Sequence, residues 1–286
     1  MILLSGSNGL LGTVLKKYFD KKKIIYSTVG RKNCNFNGDI QNNSFVEKTI
    51  KTLQPSIFIN LAAITDVDFC ETNQEITYKI NTEFPSLVSR TLKLSKKKYY
   101  IIQVSTDQVY DGGGPHEELA TNPTNYYSKT KLETDKILLN YNSISLRTNF
   151  FGKAYNNKRL SFSDKIYDSC VKKTEFNVFN DVYFSPVSFN TIFYVINNLI
   201  KKQLNGIYNL GTREGMSKKE FALYFCKCLN LDSKNIVGNP QNKVNLIAKR
   251  PKDMRLNSKK LENDLGMKFK NLKDEIKSIK VEYIKC

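Results

Sequence analysis

Leu3-Leu4-Ser5-Gly6-Ser7-Asn8-Gly9-Leu10-Leu11-Gly12 is the stretch on which the reading of this chain turns. An apolar run, Met1–Leu4, meets a glycine-rich turn, and a helical pattern starts near Leu10 with Leu11, Val14, Leu15 and Tyr18 on one face. Glycines recur at 6, 9 and 12. Glycine permits positive φ in a tight turn and close approach of backbone to a pyrophosphate. A helix N-terminus offers free N–H groups and partial positive charge to the same phosphates. A strand before the triplet and a helix after it imply a dinucleotide site.

Outward from this turn, short apolar runs alternate with helical patterns. Strands are expected at Met1–Leu4, Ile24–Thr28, Ile57–Asn60, Tyr99–Val104, Ile144–Arg147 and Gly206–Leu210. Further helices are expected at Phe45–Leu53, Asn81–Leu94, Tyr127–Asn140 and Asn190–Lys201. Strand and helix in repetition imply an α/β fold, a Rossmann-type doubly wound parallel sheet covered on both faces. Beyond Gly152 the alternation weakens, Lys153–Val187 reads as polar and loop-rich, and the tail after Gly215 ends in a lysine-rich helix. Residues 1–152, with 188–212 returning to them, are expected to form the nucleotide-binding domain. Residues 153–187 and 213–286 are expected to form a smaller C-terminal substrate-binding lobe.

Bulk properties bound the function. With 286 residues and 40% hydrophobic side chains the chain can build a packed core. A formal charge of +18 suggests polyanions, but the lysines are spread along the whole length and no nucleic-acid-binding signature appears. The expectation is a solvated basic surface that attracts anionic small molecules, with no nucleic-acid and no membrane partner. The six cysteines, at 34, 70, 170, 226, 228 and 286, show neither zinc nor disulfide spacing and read as reduced thiols; no metal site is expected. No signal peptide or apolar run of membrane-spanning length is visible, so a cytoplasmic protein is expected. The single histidine, His116, lies in a Gly/Pro loop and is expected to be exposed, without a role.

Cofactor choice follows from the end of the second strand. An acid there would accept from a ribose 2′-hydroxyl and mark NAD. Val29-Gly30-Arg31-Lys32 stands there instead, and two cations suit a 2′-phosphate. NADP(H) is therefore expected in preference, with NAD(H) open, and Asp39 is a candidate acceptor for the adenine amino group. Tyr127-Ser128-Lys129-Thr130-Lys131 sets a tyrosine and a lysine four apart, on one helical face. A neighbouring ammonium favours the phenolate, which is expected to bring the tyrosine towards neutral-pH acid–base chemistry. The strand Tyr99–Val104 runs into Ser105-Thr106-Asp107-Gln108 at the sheet end where such folds bind ligands. A Thr106 hydroxyl could hold a substrate carbonyl beside Tyr127, so the three groups read as a carbonyl-reduction site.

These pieces together resemble the extended short-chain dehydrogenase/reductases. Within that group the chain is most similar to reductases of nucleotide-linked 4-keto-6-deoxy sugars, the dTDP-4-dehydrorhamnose reductase family. The resemblance is carried by Gly6, Gly9 and Gly12, Gly38-Asp39-Ile40, the segment Asn60–Glu71, Asn81, Ser105-Thr106-Asp107, Pro123–Lys131 and Leu146-Arg147-Thr148. It continues in Gly206–Leu210, Arg250-Pro251 and Arg255-Leu256, so it spans nearly the whole chain. It implies that Thr106 polarises the sugar C4 carbonyl, that Tyr127 delivers a proton, and that Lys131 binds the nicotinamide ribose and tunes the tyrosine. Backbone around Ser7–Leu11 would hold the pyrophosphate, while Ile40, Ala62, Ala63, Thr65 and Asn81 would complete the cofactor groove. Asp68, Asp107, Phe150, Arg250 and Arg255 would serve the nucleotide-sugar substrate, the arginines at its diphosphate. The implied role is deoxy-sugar synthesis for surface polysaccharide, in a chain for which a homodimer is open.

The chain departs from that pattern in two places. The family's tryptophan after the Arg-Thr strand is absent, with Phe150 or Phe151 in its place, and the usual Asp-Gln-x-Gly-x-Pro-Thr segment reads Asp181-Val182-Tyr183-Phe184-Ser185-Pro186-Val187. Both changes fall where the sugar pocket is shaped. Sugar 4,6-dehydratases follow the threonine with Asp-Glu, whereas Gln108 follows Asp107 here, which argues against dehydration. Two other functions compete. An epimerase or epimerase-reductase would need a further acid–base pair. A non-catalytic NADP-binding regulatory subunit, like that of methionine adenosyltransferase, would not need the intact Thr106, Tyr127 and Lys131.

Overall fold

A computed structural model of the chain describes residues 1–155 and 159–284. Cys286 lies outside the described residues. In chain order the strands are β1 (Ile2–Ser5), β2 (Tyr26–Gly30), β3 (Phe36–Asn37), β4 (Ile57–Asn60), β5 (Tyr100–Thr106), β6 (Ser143–Thr148), β7 (Phe150–Phe151), β8 (Phe176–Phe179), β9 (Tyr183–Phe184), β10 (Val187–Ser188), β11 (Gly206–Leu210), β12 (Met216–Ser217) and β13 (Ile236–Asn239). The helices are α1 (Leu10–Lys21), α2 (Asn43–Leu53), α3 (Val67–Thr72), α4 (Gln74–Tyr78), α5 (Phe84–Leu94), α6 (Tyr126–Leu138), α7 (Phe162–Lys172), α8 (Phe189–Lys202), α9 (Lys218–Leu229), α10 (Lys259–Leu265), α11 (Leu272–Ser278) and α12 (Lys280–Ile284).

Seven strands form one parallel sheet in the order β11-β6-β5-β4-β1-β2-β3. Its order reverses between β1 and β4, and a doubly wound sheet opens its ligand crevice at the carboxyl ends of such a pair. Alternation along each strand feeds two separate cores. Ile2, Leu4, Ile59, Tyr100 and Ile102 pack with Val14 and Leu15 of α1 and with Ile192 and Ile196 of α8. Leu3, Phe58 and Ile101 face the other way, onto Val46 and Ile50 of α2 and Leu87 and Val88 of α5. Burying each of these large side chains stabilises the sheet by roughly 1.5–3 kcal/mol. A third, separate core, in the part of the chain expected as the lobe, is formed by Ile166, Val178, Phe184, Phe221, Phe225, Leu272 and Ile276.

The expected helix from Asn81 begins with a wider turn, Lys79–Glu83, and becomes α-helical only at Phe84. Pro85 supplies the reason, since its ring removes an N–H and is tolerated only in a first helical turn. Residues 153–187, expected as loop, carry α7 and three short strands. The expected lobe segment 213–286 also divides: Leu261, Leu265 and Phe269 pack into the sheet's core beside α8, and only the flanking parts join the lobe. Amphipathicity shows that these residues are buried, but not against which partner. Among the described residues no helix is long and apolar enough to cross a membrane.

Candidate active site

The glycine turn is shaped by close packing. Gly6 has φ +68°, and a Cβ there would sit 2.5 Å from the Leu61 carbonyl carbon just past β4. A Cβ on Gly12 would sit 2.3 Å from the Gly6 carbonyl oxygen. Backbone atoms cannot rotate aside, so both positions demand glycine. Gly9 caps α1 without a side-chain hydrogen bond, and the first turn of α1 carries no acid. The N–H groups at this end are therefore left for an anion. Two cavities, of about 670 Å³ and 280 Å³, flank the turn. The larger runs towards β2 and is lined by Ser7, Asn8, Arg31, Lys32, Asp39, Ile40 and Ala62. The smaller runs towards β5 and is lined by Leu10, Leu11, Gly12, Thr106, Asp107, Tyr127, Lys131 and Phe150. Gly6, Gly9, Leu61, Ala63, Thr65 and Arg159 line both. A two-lobed trough with a cation-flanked end and a bare helix N-terminus at its middle fits a dinucleotide.

Thr106 closes β5, and α6 delivers Tyr127 and Lys131. The helix is started by a capping box: Ser128 N–H donates to Asn125 Oδ1 at 2.9 Å, and the Ser128 hydroxyl accepts from Asn125 N–H at 3.3 Å. The four-residue spacing then turns both side chains to the cavity. Lys131 Nζ donates to the Val104 carbonyl at 2.9 Å. Burial lowers the Lys131 ammonium to about 8, while Asp135 one turn on pulls it back up. Burial likewise raises the Tyr127 phenol, against the Thr106 hydroxyl, which favours the phenolate. A lysine four residues on would by itself lower that phenol; in the protein alone burial dominates and keeps it protonated. Thr106 Oγ1 accepts from Gln108 N–H at 3.2 Å. Asp107, 2% exposed, is raised by burial to about 6, opposed first by the 2.8 Å hydrogen bond that Asn149 Nδ2 donates to it.

The family described as the RmlD substrate binding domain matches residues 1–284. The chain belongs to this family. It is 26% identical to dTDP-4-dehydrorhamnose reductase of Escherichia coli (strain K12), over 93% of this chain and 92% of that protein. It is 24% identical to methionine adenosyltransferase 2 subunit beta of Danio rerio, over 91% of this chain and 84% of that one. Its fold is similar to the crystal structure of a dTDP-4-dehydrorhamnose reductase from Clostridium acetobutylicum ATCC 824, with a TM-score of 0.87, 26% identity, and coverage of 100% of this chain and 99% of that one. The RmlD family sits among the extended short-chain dehydrogenase/reductases, and the chain is an oxidoreductase of that type.

Not every residue expected at the site of this RmlD-family chain lines it. Asn81 is fully buried and bonds the backbone of Ile64 from both ends of its amide, at 2.8 and 3.1 Å. It holds the loop after β4 that forms the trough wall, and lines neither cavity. Asp68 and Arg250 are brought together, but with each other: their ion pair measures 3.0 Å, and Ala248 N–H adds a 2.9 Å bond to Asp68. That backbone bond, first, and Arg250 hold the Asp68 carboxyl below its usual range. Arg255 is committed to Asp253 at 2.6 Å and to the Gly114 carbonyl at 3.0 Å. None of these three lines either cavity. Phe150, not Phe151, faces the site; Phe151 is in the lobe core. Val182 and Phe184, from the altered segment, are buried in that same core.

His116 is buried, contrary to the exposure that its Gly/Pro loop implies. It is 5% exposed, stacks on Tyr110 at 5.0 Å, and bonds the Asp253 carbonyl through Nε2 at 2.9 Å. Tyr110 in turn receives a 2.7 Å bond from Arg147, whose other partners are Asp135 at 2.8 Å and the Glu118 carbonyl at 2.7 Å. The histidine thus belongs to a buried support behind β5. Arg159 and Asn149 line the cavities without being singled out by the sequence, and Gln108, read there only against dehydration, lines the β5-side cavity too. Asn149 and Gln108 directly follow residues already singled out, which is a usable signal; Arg159 carries none.

Proposed function

We propose that the chain reduces the 4-keto group of a nucleotide-linked 4-keto-6-deoxy sugar with NADPH, in the manner of dTDP-4-dehydrorhamnose reductase. One observation carries this reading: Thr106, Tyr127 and Lys131 line a single cavity with the glycine turn. When bound, the nicotinamide cofactor supplies the hydride. Tyr127 holds the proton that completes the alcohol, and its burial keeps that proton on the phenol until a carbonyl oxygen becomes basic. Thr106 Oγ1 accepts from Gln108 N–H, and its own proton goes to Asp107 Oδ1 across a long 3.4 Å bond, which a substrate carbonyl would displace to be polarised. Lys131, tethered to the Val104 carbonyl, holds a positive charge beside the tyrosine and offers its remaining protons to a ribose. Arg31 and Lys32 at the far end of the trough favour a 2′-phosphate, hence NADPH over NADH.

No histidine or cysteine is among the described residues lining the reaction cavity, which favours reduction over epimerisation. The similarity to methionine adenosyltransferase 2 subunit beta supports a second reading, cofactor binding without turnover. Loss of NADPH absorbance with dTDP-4-keto-6-deoxy sugars, beside Tyr127→Phe, separates them. Oxidation by the wild type that drops at least 100-fold in the variant supports the reductase. NADPH binding without oxidation of the cofactor by these sugars counts against it.

A further inference from the structure

Five of the six residues shared by the two cavities come from the β1–α1 turn and the end of β4. The sixth, Arg159, comes from the far side, from the chain between β7 and α7. The charges along the trough make its position informative. Arg31 and Lys32 lie only in the β2-side cavity, and Lys131 only in the β5-side cavity. Arg159 is therefore the one cation, among the described lining residues, at the junction. It shares both cavities with Gly6 and Gly9 at the start of α1, whose cap makes no side-chain hydrogen bond and whose first turn holds no acid. Among the described residues Arg159 is exposed and makes no hydrogen bond or ion pair. A dinucleotide that fills both cavities must carry its pyrophosphate across this junction.

We infer that Arg159 is the clamp on the cofactor's pyrophosphate, opposing the helix N-terminus across the trough. This rests on the proposed dinucleotide reading. A guanidinium is suited to the task, since its planar fork grips two phosphate oxygens at once and its charge does not titrate. The location has a consequence that separates Arg159 from Arg31. The pyrophosphate is common to NADPH and NADH, whereas the 2′-phosphate belongs to NADPH alone. Arg159 thus sets affinity for both cofactors, and Arg31 sets the preference between them.

The test is calorimetric or fluorescence titration of NADPH and NADH into the full chain, the Arg159→Ala variant and the Arg31→Ala variant, with melting curves as a folding control. Arg159→Ala is expected to raise Kd about 10- to 100-fold for both cofactors alike, the range for a lost charge-assisted hydrogen bond, with an unchanged Tm. Arg159→Lys is expected to restore part of it, because the charge returns without the fork. Three outcomes overturn the inference. A loss confined to NADPH would assign Arg159 to the 2′-phosphate. Unchanged cofactor affinity with weakened binding of a nucleoside diphosphate would assign it to the substrate. Unchanged binding of all these ligands would leave it a solvated cation. If the wild type itself binds neither cofactor, the dinucleotide reading fails first, and the variants agree with it trivially.

Discussion

Gly12→Ala puts the closest packing in the site to the test. The new methyl would sit 2.3 Å from the Gly6 carbonyl oxygen and 2.7 Å from Ser7 Cα, against 3.4 Å or more for ordinary contact. Both neighbours are backbone, so α1 must back away from the turn by about 1 Å. Overpacking of this kind costs about 1–3 kcal/mol. For a chain of this size that lowers Tm by roughly 3–10 °C. The same displacement draws the α1 N–H groups away from the pyrophosphate. Losing even one charge-assisted bond there weakens NADPH binding about 10- to 100-fold. Gly9→Ala is the control. Its Cβ meets the Gly6 oxygen at 3.2 Å, and its φ of −74° suits alanine. Its melt is expected within about 2 °C of wild type, while the methyl, in the wall of both cavities, still hinders the cofactor. Differential scanning fluorimetry and NADPH fluorescence titration read both quantities. A Gly12→Ala protein that melts and binds like wild type would refute the close-approach argument.

Arg31→Ala should raise Kd for NADPH about 10-fold or more and leave NADH unchanged; a matching loss for NADH would remove the 2′-phosphate from the explanation. Burial lowers Lys131 to about 8. In the unfolded chain a lysine holds its proton up to a pH of about 10.4, so between these values the unfolded state binds more protons and stability rises with pH. Wild type should therefore gain on Lys131→Met by on the order of 3 kcal/mol between pH 7 and pH 10 in urea melts, and a flat difference would show that the ammonium is not desolvated. Proton loss from Lys131 should also bring an alkaline fall in kcat/KM near pH 8, absent in Lys131→Arg. Arg147→Met strands the fully buried Asp135, whose remaining donor is Ser105 at 3.0 Å. The single change should cost about 3–5 kcal/mol and Arg147→Met with Asp135→Leu clearly less; strictly additive costs would deny the pair.

The sequence by itself determined what is local. Glycines at 6 and 12 between an apolar run and an amphipathic one specify a turn that only such residues can make, and the four-residue step from Tyr127 to Lys131 places both on one helical face. Alternating faces in β1, β4 and β5 likewise follow from side-chain direction along a strand, which needs no knowledge of partners. Only the tertiary structure decided what distant residues do to one another. Asp68, expected at the substrate, meets Ala248 across 180 residues of chain and pairs with Arg250, which no local pattern announces. Asn81 reaches Ile64, His116 reaches Asp253, and Leu261 returns to the sheet for the same reason: long-range packing leaves no period in the chain. The direction in which Tyr127 shifts belongs here too. Spacing puts an ammonium on the same helical face, but the desolvation that raises the phenol comes from Val67, Cys70 and Ala248, packed round it from distant parts of the chain. Arg159 marks the limit most clearly, since a lone arginine in a polar stretch acquires meaning only when folding places it in the wall of both cavities beside Gly6 and Gly9.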